Sequence, residues 1–215
     1  MFVRPCWRPR SAEDSYRLIE ANPWALLVSN GPGGPLVTNL PLMLDRARGS
    51  SGTLIGHIAR ANHHTRVLQE NPSATALAVF HGASSYVTPT WYPNRDMPGT
   101  YYYTAVHCYG RLSLLAEPEL EASLHTLNDR MEDGGPGAWR MDEIPHSEVT
   151  RRLPAILGFE LEIERIEGKF KLGQDEPRKD AMAVAEHLAS SGEARHRELA
   201  EAVRRANQHR PEKDD

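Results

Sequence analysis

The chain reads as an α+β protein built on a small β-barrel with flanking helices. Three observations predict this. Five to seven short apolar or alternating segments between Trp24 and Ile166 are separated by glycine and proline turns. One of those turns, Gly31-Pro32-Gly33-Gly34, sits between two strand-like runs as a hairpin signal. Helical periodicity falls between the later strands and after them, without the regular strand-helix alternation of a doubly wound parallel sheet.

Each element has its own signal. Ser11 to Ala21 opens with a serine followed by Glu13 and Asp14, a helix start, and ends at Asn22-Pro23. Trp24 to Ser29 reads as a buried strand and Pro35 to Leu42 as its hairpin partner. Gly49 to Gly52 is a second turn, Thr53 to Ile58 a third strand, and Arg60 to Glu70 a helix stopped by Asn71-Pro72. Ala74 to His81 is short enough to be a central strand. Ser85 to Pro93 is aromatic and β-prone but interrupted by prolines, and Tyr101 to Leu115 alternates as a strand. Leu120, Leu124, Leu127 and Met131 recur at helical spacing within Glu117 to Glu132, which marks packing. Leu157 to Ile166 alternates apolar with acidic, as a half-exposed antiparallel strand does. Asp180 to Leu188 and Glu193 to Asn207 read as helices. The whole is one domain over 1–215, with a helical extension at about 180–207 and a frayed, charged tail at 208–215.

Composition excludes several functions. A formal net charge of -4 supplies no basic field for nucleic acid. Arg195 to Arg205 is arginine-rich but interleaved with Glu198 and Glu201 and preceded by Glu193, so it reads as a solvated or packing helix. Two cysteines, Cys6 and Cys108, make no disulfide framework and suit a reduced cytoplasm. No apolar run approaches the ~20 residues that cross a bilayer, and the first ten residues carry no secretory h-region. GxGxxG, GxxxxGKS, HExxH and GxSxG are all absent.

What remains is concentrated in three places. Gly56 to Arg66 reads GHIARANHHTR and brings Arg60, Asn62, His63, His64 and Arg66 to one polar turn. Neutral imidazole is a common ligand for iron, and arginine pairs with phosphate or propionate. Tyr86, Trp91 and Tyr92 share a loop. On the following strand Tyr101, Tyr103 and His107 face one side and Tyr102 the other, so the aromatics either wall a cofactor pocket or fill a core or dimer interface. Lys169 and Lys171 point the same way on an extended segment, two ammonium donors for a phosphate or carboxylate or a solvated strand end.

Five ordered blocks carry a resemblance: NPWALLVSN with TNLPLML, GHIARAN, SYVTPTWYP, AVHCYG, and GFELEIERIEGKFKLGQ. Through them the chain resembles the PaiB-like proteins, FMN-binding negative transcriptional regulators with a split-barrel fold. The resemblance implies a homodimer with cofactor pockets between subunits. The chain departs from the family pattern at His63 and His64, which replace proline and glutamine, at Thr100 to Tyr103, and at Asn39, where histidine is frequent. Within this family the departures point to the piperazate synthase branch, which binds haem b and cyclises L-N5-hydroxyornithine to L-piperazic acid. On that resemblance His64 is the expected axial metal ligand with His63 as its substitute, and Arg60 and Arg66 are propionate partners. Asn62, Trp91 and Gln174 complete the cofactor set. Tyr101, Tyr103, Lys169 and Lys171 orient the amino-acid substrate and move protons. The alternative is an FMN-binding oxidoreductase or regulator that uses Arg60, Lys171 and Gln174 on the phosphate and ring. Haem degradation, known among other split barrels, is a third possibility.

Overall fold

The computed structural model describes residues 1–71 and 73–211. Pro72 of the expected helix stop and residues 212–215 of the expected frayed tail lie outside them. The elements run α1 (Ala12–Ala21), β1 (Trp24–Gly31), β2 (Gly34–Pro41), β3 (Met43–Asp45), β4 (Thr53–Ala59), α2 (His63–Glu70), β5 (Thr75–Val87), β6 (Thr100–Leu114), α3 (Glu117–Met131), α4 (His146–Arg152), β7 (Ile156–Lys171), α5 (Arg178–Ser190) and α6 (Ala194–Asn207). Seven strands form one sheet in the order β2-β1-β5-β6-β7-β4-β3. The pairs β1–β2, β1–β5, β3–β4 and β4–β7 are antiparallel. None of the described helices is long and apolar enough to cross a membrane.

The chain divides into two compact units. A terminal unit comprises Met1–Asn22, His81–Val106 and Glu167–Asp215, and a central unit comprises Pro23–Phe80 and His107–Ile166. Strands β5, β6 and β7 each have residues in both.

In the central unit the hairpin pairs Trp24 with Pro41 through to Gly31 with Gly34 across the two-residue loop Pro32-Gly33. Gly34 adopts φ +122°, a conformation that a side chain would strain. Alternation then sorts β1: Ala25, Leu27 and Ser29 are buried, whereas Trp24 and, on β2, Val37 opposite Val28 remain 66% and 58% exposed. Leu54 and Ile58 of β4 and Leu157, Phe159, Leu161 and Ile163 of β7 are buried by the same period-two rule. Helix α4 has no strong periodic signal. It forms because Val149 joins Leu120 of α3 and Leu153 in a small apolar cluster, while Glu148 pairs with Arg151 and Arg152 at 2.7 and 2.6 Å on the exposed side.

In the terminal unit Ser11 and Asp14 form the reciprocal cap of α1, with Asp14 N donating to Ser11 Oγ at 3.3 Å and Ser11 N donating to Asp14 Oδ2 at 3.0 Å. Helices α5 and α6 bury Val184, Leu188, Leu199 and Val203 in a core that includes Val87, Tyr92 and Tyr102. Two strands extend beyond the segments read from the sequence, and the reason is steric. Gly82 does not end β5, because its bare backbone admits the Thr104 hydroxyl where a Cβ would sit. Gly168 likewise lets Pro9 and Ser15 approach β7, which continues to Lys171.

Close approach is most demanding at Gly110 on β6, where a Cβ would run into the Glu162 carbonyl and the Leu161 side chain of β7. Backbone cannot yield as a flexible side chain can. Gly110→Ala should therefore cost about 3 kcal/mol, the upper range for overpacking, read as a lowered urea midpoint at unchanged slope.

Candidate functional site

The central unit carries the histidine turn. Arg60, the first residue after β4, is fixed by the backbone at the start of β7: its Nε donates to Pro154 O, just before the strand, at 2.9 Å and its Nη2 to Ile156 O at 3.0 Å. Asn62 caps α2, accepting from His64 N at 2.9 Å, so its side chain is a helix start. Thr65 Oγ1 donates back to Ala59 O at 2.8 Å. Helix α2 begins at His63, not at Arg60, because the Asn62 cap sets its first turn.

That first turn separates the two histidines. Successive helical residues lie about 100° apart, so His63 projects to solvent while His64 is 2% exposed. His64 Nε2 is hydrogen-bonded to Ser29 Oγ of β1 at 2.7 Å, and Nδ1 to Thr38 Oγ1 of β2 at 2.9 Å. A neutral imidazole donates from one nitrogen and accepts at the other, and both positions are used. An iron bond at either nitrogen would displace a buried hydroxyl partner. The geometry therefore makes His64 a staple between α2 and the hairpin and leaves His63 as the open imidazole. Arg66, on the outer face of α2, pairs with Glu70 at 2.7 Å. Among the described residues no three His, Cys, Asp or Glu side chains converge as a metal-binding cluster; iron carried in a porphyrin needs only one protein donor.

The terminal unit carries the cationic and aromatic residues. Lys169 and Lys171 share a side of β7, and both ammonium groups lie on Trp7, at 4.9 and 5.6 Å from the ring centre. Tyr103 and Phe2 contribute rings at 5.3 and 5.9 Å from Lys169. Lys171 donates to Thr100 Oγ1. Among the described residues neither lysine forms an ion pair. Trp7 is itself held by its indole N–H, which donates to Asp175 Oδ1 at 3.1 Å, while Arg4 donates to Asp175 Oδ2 at 3.0 Å and lies 5.2 Å from the indole centre. This arrangement can hold an anion: two amines supply positive charge against π-faces, while the nearby carboxylates are engaged elsewhere, Asp175 by Trp7 and Arg4 and Glu176 by Tyr102, with Glu176 also feeling the charge of Lys171.

The other expected residues divide between display and structure. Tyr101 is 59% exposed and meets Tyr86 edge-on at 5.7 Å. Trp91 stacks on His187 of α5 at 5.6 Å and 14°. Gln174 closes its own turn, with Oε1 accepting from Leu172 N at 2.7 Å and Nε2 donating to Phe170 O at 2.6 Å. Tyr102 turns the opposite way from Tyr101 and Tyr103, is fully buried, and donates to the carboxylate of Glu176. Burial pushes the Glu176 carboxyl above its ordinary range and the Tyr102 hydroxyl well above its own. Phe2, Arg4, Trp7, Asp175 and Glu176 were not read from the sequence. Only Trp7, a lone tryptophan among prolines and arginines, offered a visible cue.

Burial lowers the proton affinity of His64, and likewise of His57 on β4. The sign follows from linkage. The unfolded chain binds a proton near the ordinary value of 6.5, before the folded protein does, so stability is intact above that pH and falls as pH drops below it, by at most about 1.4 kcal/mol per pH unit per histidine. Cofactor-free protein should show a urea midpoint that declines between pH 7 and 5, with a shallower decline in His64→Gln.

The comparisons with known proteins agree with this architecture. The chain is 26% identical over 203 residues to protease synthase and sporulation protein PAI 2 of Bacillus subtilis, covering 94% of this chain and 96% of that protein. Its fold matches the FAD and haem binding protein of Mycobacterium smegmatis with a TM-score of 0.59 at 20% identity, over 77% of this chain and 74% of that one. It also matches the flavocytochrome Anf3 of Azotobacter vinelandii with a TM-score of 0.58 at 17% identity, over 78% and 70%. The fold is the α+β split barrel found in flavin- and haem-binding proteins. Residues 1–165 match the family described as "Putative FMN-binding domain", and the chain belongs to that family of PaiB-like split-barrel proteins.

Proposed function

We propose that this protein is a haem-dependent synthase that cyclises L-N5-hydroxyornithine to L-piperazic acid. The observation that carries the reading is the division of labour at the histidine turn: His64 is committed to Ser29 and Thr38, and the adjacent His63 offers an open imidazole. In this reading the ligand role passes from His64 to His63. The residues fit a haem in that one respect, and fold neighbours that bind haem together with flavin support it. When bound, haem supplies a redox-active Lewis-acidic iron for cleavage of the N–O bond.

The protein's own groups do the rest. In the terminal unit, Lys169 and Lys171 on the face of Trp7 are the groups this reading assigns to a substrate carboxylate. In the same unit Tyr103, beside Lys169, is assigned to proton transfer: the proton it gives to the departing hydroxide is restored by the one the α-amine loses as the N–N bond forms, and Tyr101 stands exposed on the same face of its strand. One N–O bond breaks, one N–N bond forms from the α-amine to N5, and water leaves, so no external electron is consumed. The homodimer that the resemblance implies would cover the exposed Trp24 and Val37. DNA binding is disfavoured because α6 buries Leu199, Ala200 and Val203, and its Arg205 lies 3.6 Å from Glu201.

A second reading, FMN in place of haem, is favoured by the two lysines beside an indole, neither held in an ion pair among the described residues, which suit a phosphate as well as a carboxylate. The absorption spectrum of the purified protein separates the two. Haem binding gives a Soret band that His63→Ala shifts or removes and His64→Ala retains in whatever fraction stays folded. Piperazic acid should then appear by mass spectrometry on incubation with N5-hydroxyornithine, at least about tenfold slower in Lys169→Ala. A flavin spectrum with no haem uptake, or no product from haem-loaded protein, overturns the proposal.

A further inference from the structure

A cavity of about 350 Å³ opens in the central unit beside the root of the histidine turn. Leu115, Leu120, Leu153 and Leu157 line it together with Pro154 and Gly158, and its charged groups, Arg60 and Glu117, are both exposed. This volume lies at the small end of ordinary ligand pockets.

The two charges are what give the cavity a preference. Arg60 spends two of its five N–H donors on the carbonyls of Pro154 and Ile156, which fix the guanidinium in place and leave three donors. Those carbonyls do not neutralise its charge. Among the described residues Arg60 has no carboxylate partner and Glu117 no cationic one, and the two do not pair with each other although they line the same cavity. A fixed cation and a separate anion above a leucine-lined floor match a zwitterion with an apolar tail. A fatty carboxylate would leave Glu117 facing an anion, and an alkylamine would leave Arg60 facing a cation.

We propose that this cavity binds a free aliphatic α-amino acid, with its carboxylate on Arg60, its ammonium group on Glu117 and its side chain against the four leucines. The site draws on no cofactor and does not depend on the haem reading; it removes Arg60 from the expected set of propionate or phosphate partners.

The test is a titration of the full chain, carrying ¹³C-labelled leucine methyls, with L-leucine, isocaproate and isoamylamine. L-Leucine should shift the methyls of Leu115, Leu120, Leu153 and Leu157 saturably, and both single-charge analogues should bind at least about tenfold more weakly. Glu117→Gln, an exposed change that leaves the turn intact, should weaken L-leucine by a similar factor and spare isocaproate. Arg60→Lys should weaken L-leucine and isocaproate alike. Absence of a saturable shift, equal binding of all three compounds, or an unchanged L-leucine affinity in Glu117→Gln overturns the proposal.

Discussion

A β-strand has two faces and no third, and the candidate chemistry of this protein follows from how β6 and β7 divide theirs. On β6, Tyr102 points into the apolar core of the terminal unit, where Leu172, Ala181 and Val184 surround it. The period of two then forces Tyr101 and Tyr103 to the opposite face. On β7 the same rule places Lys169 and Lys171 together, with Phe170 between them packed against that core. Burial of one hydrophobic set thus displays one cationic and aromatic set, without any interaction needed to aim it. Trp7 then brings both ammonium groups to a single surface.

The histidine turn obeys the helical version of the same constraint. With about 100° between neighbours, two adjacent histidines cannot share an environment at the start of α2. One is drawn inward, where desolvation favours the neutral ring and hydroxyls satisfy both nitrogens. The other keeps its lone pair for an outside partner. Adjacent histidines therefore look redundant in sequence and are unlike in the fold.

Much of this was legible beforehand. The small barrel with flanking helices, the hairpin at Pro32-Gly33, the opposition of Tyr102 to Tyr101 and Tyr103, and the pairing of Lys169 with Lys171 follow from short-range periods that sequence displays directly, while the split-barrel type followed from the family resemblance. What escaped was long-range. Which of His63 and His64 is buried depends on Ser29 and Thr38, some thirty residues away in a hairpin. Trp7 joins the lysines only because Asp175, 168 residues later, accepts its indole N–H. Asn62 and Gln174 are ligand contacts only by resemblance; in the fold their amides serve a helix cap and a tight turn, uses that depend on the local backbone. Strand continuity through Gly82 and Gly168 was hidden for a related reason: a glycine that admits a neighbour is indistinguishable in sequence from one that breaks a strand.

The junction between β4 and α2 has a consequence for how freely this segment tolerates changes of length. Asn62 is both the helix cap and the residue immediately before the pair, so the azimuth of each imidazole is counted from it. Inserting or deleting one residue after the cap would turn the helix face by roughly a quarter of a revolution. An insertion would carry the second ring past the two hydroxyls and turn the first toward them, exchanging the buried and exposed histidines, whereas a deletion would leave no ring at the buried position. Ordinary surface loops absorb such indels at little cost; here the count from the cap decides which imidazole is buried, and homologous chains that keep both histidines but alter this count should not be grouped with this one.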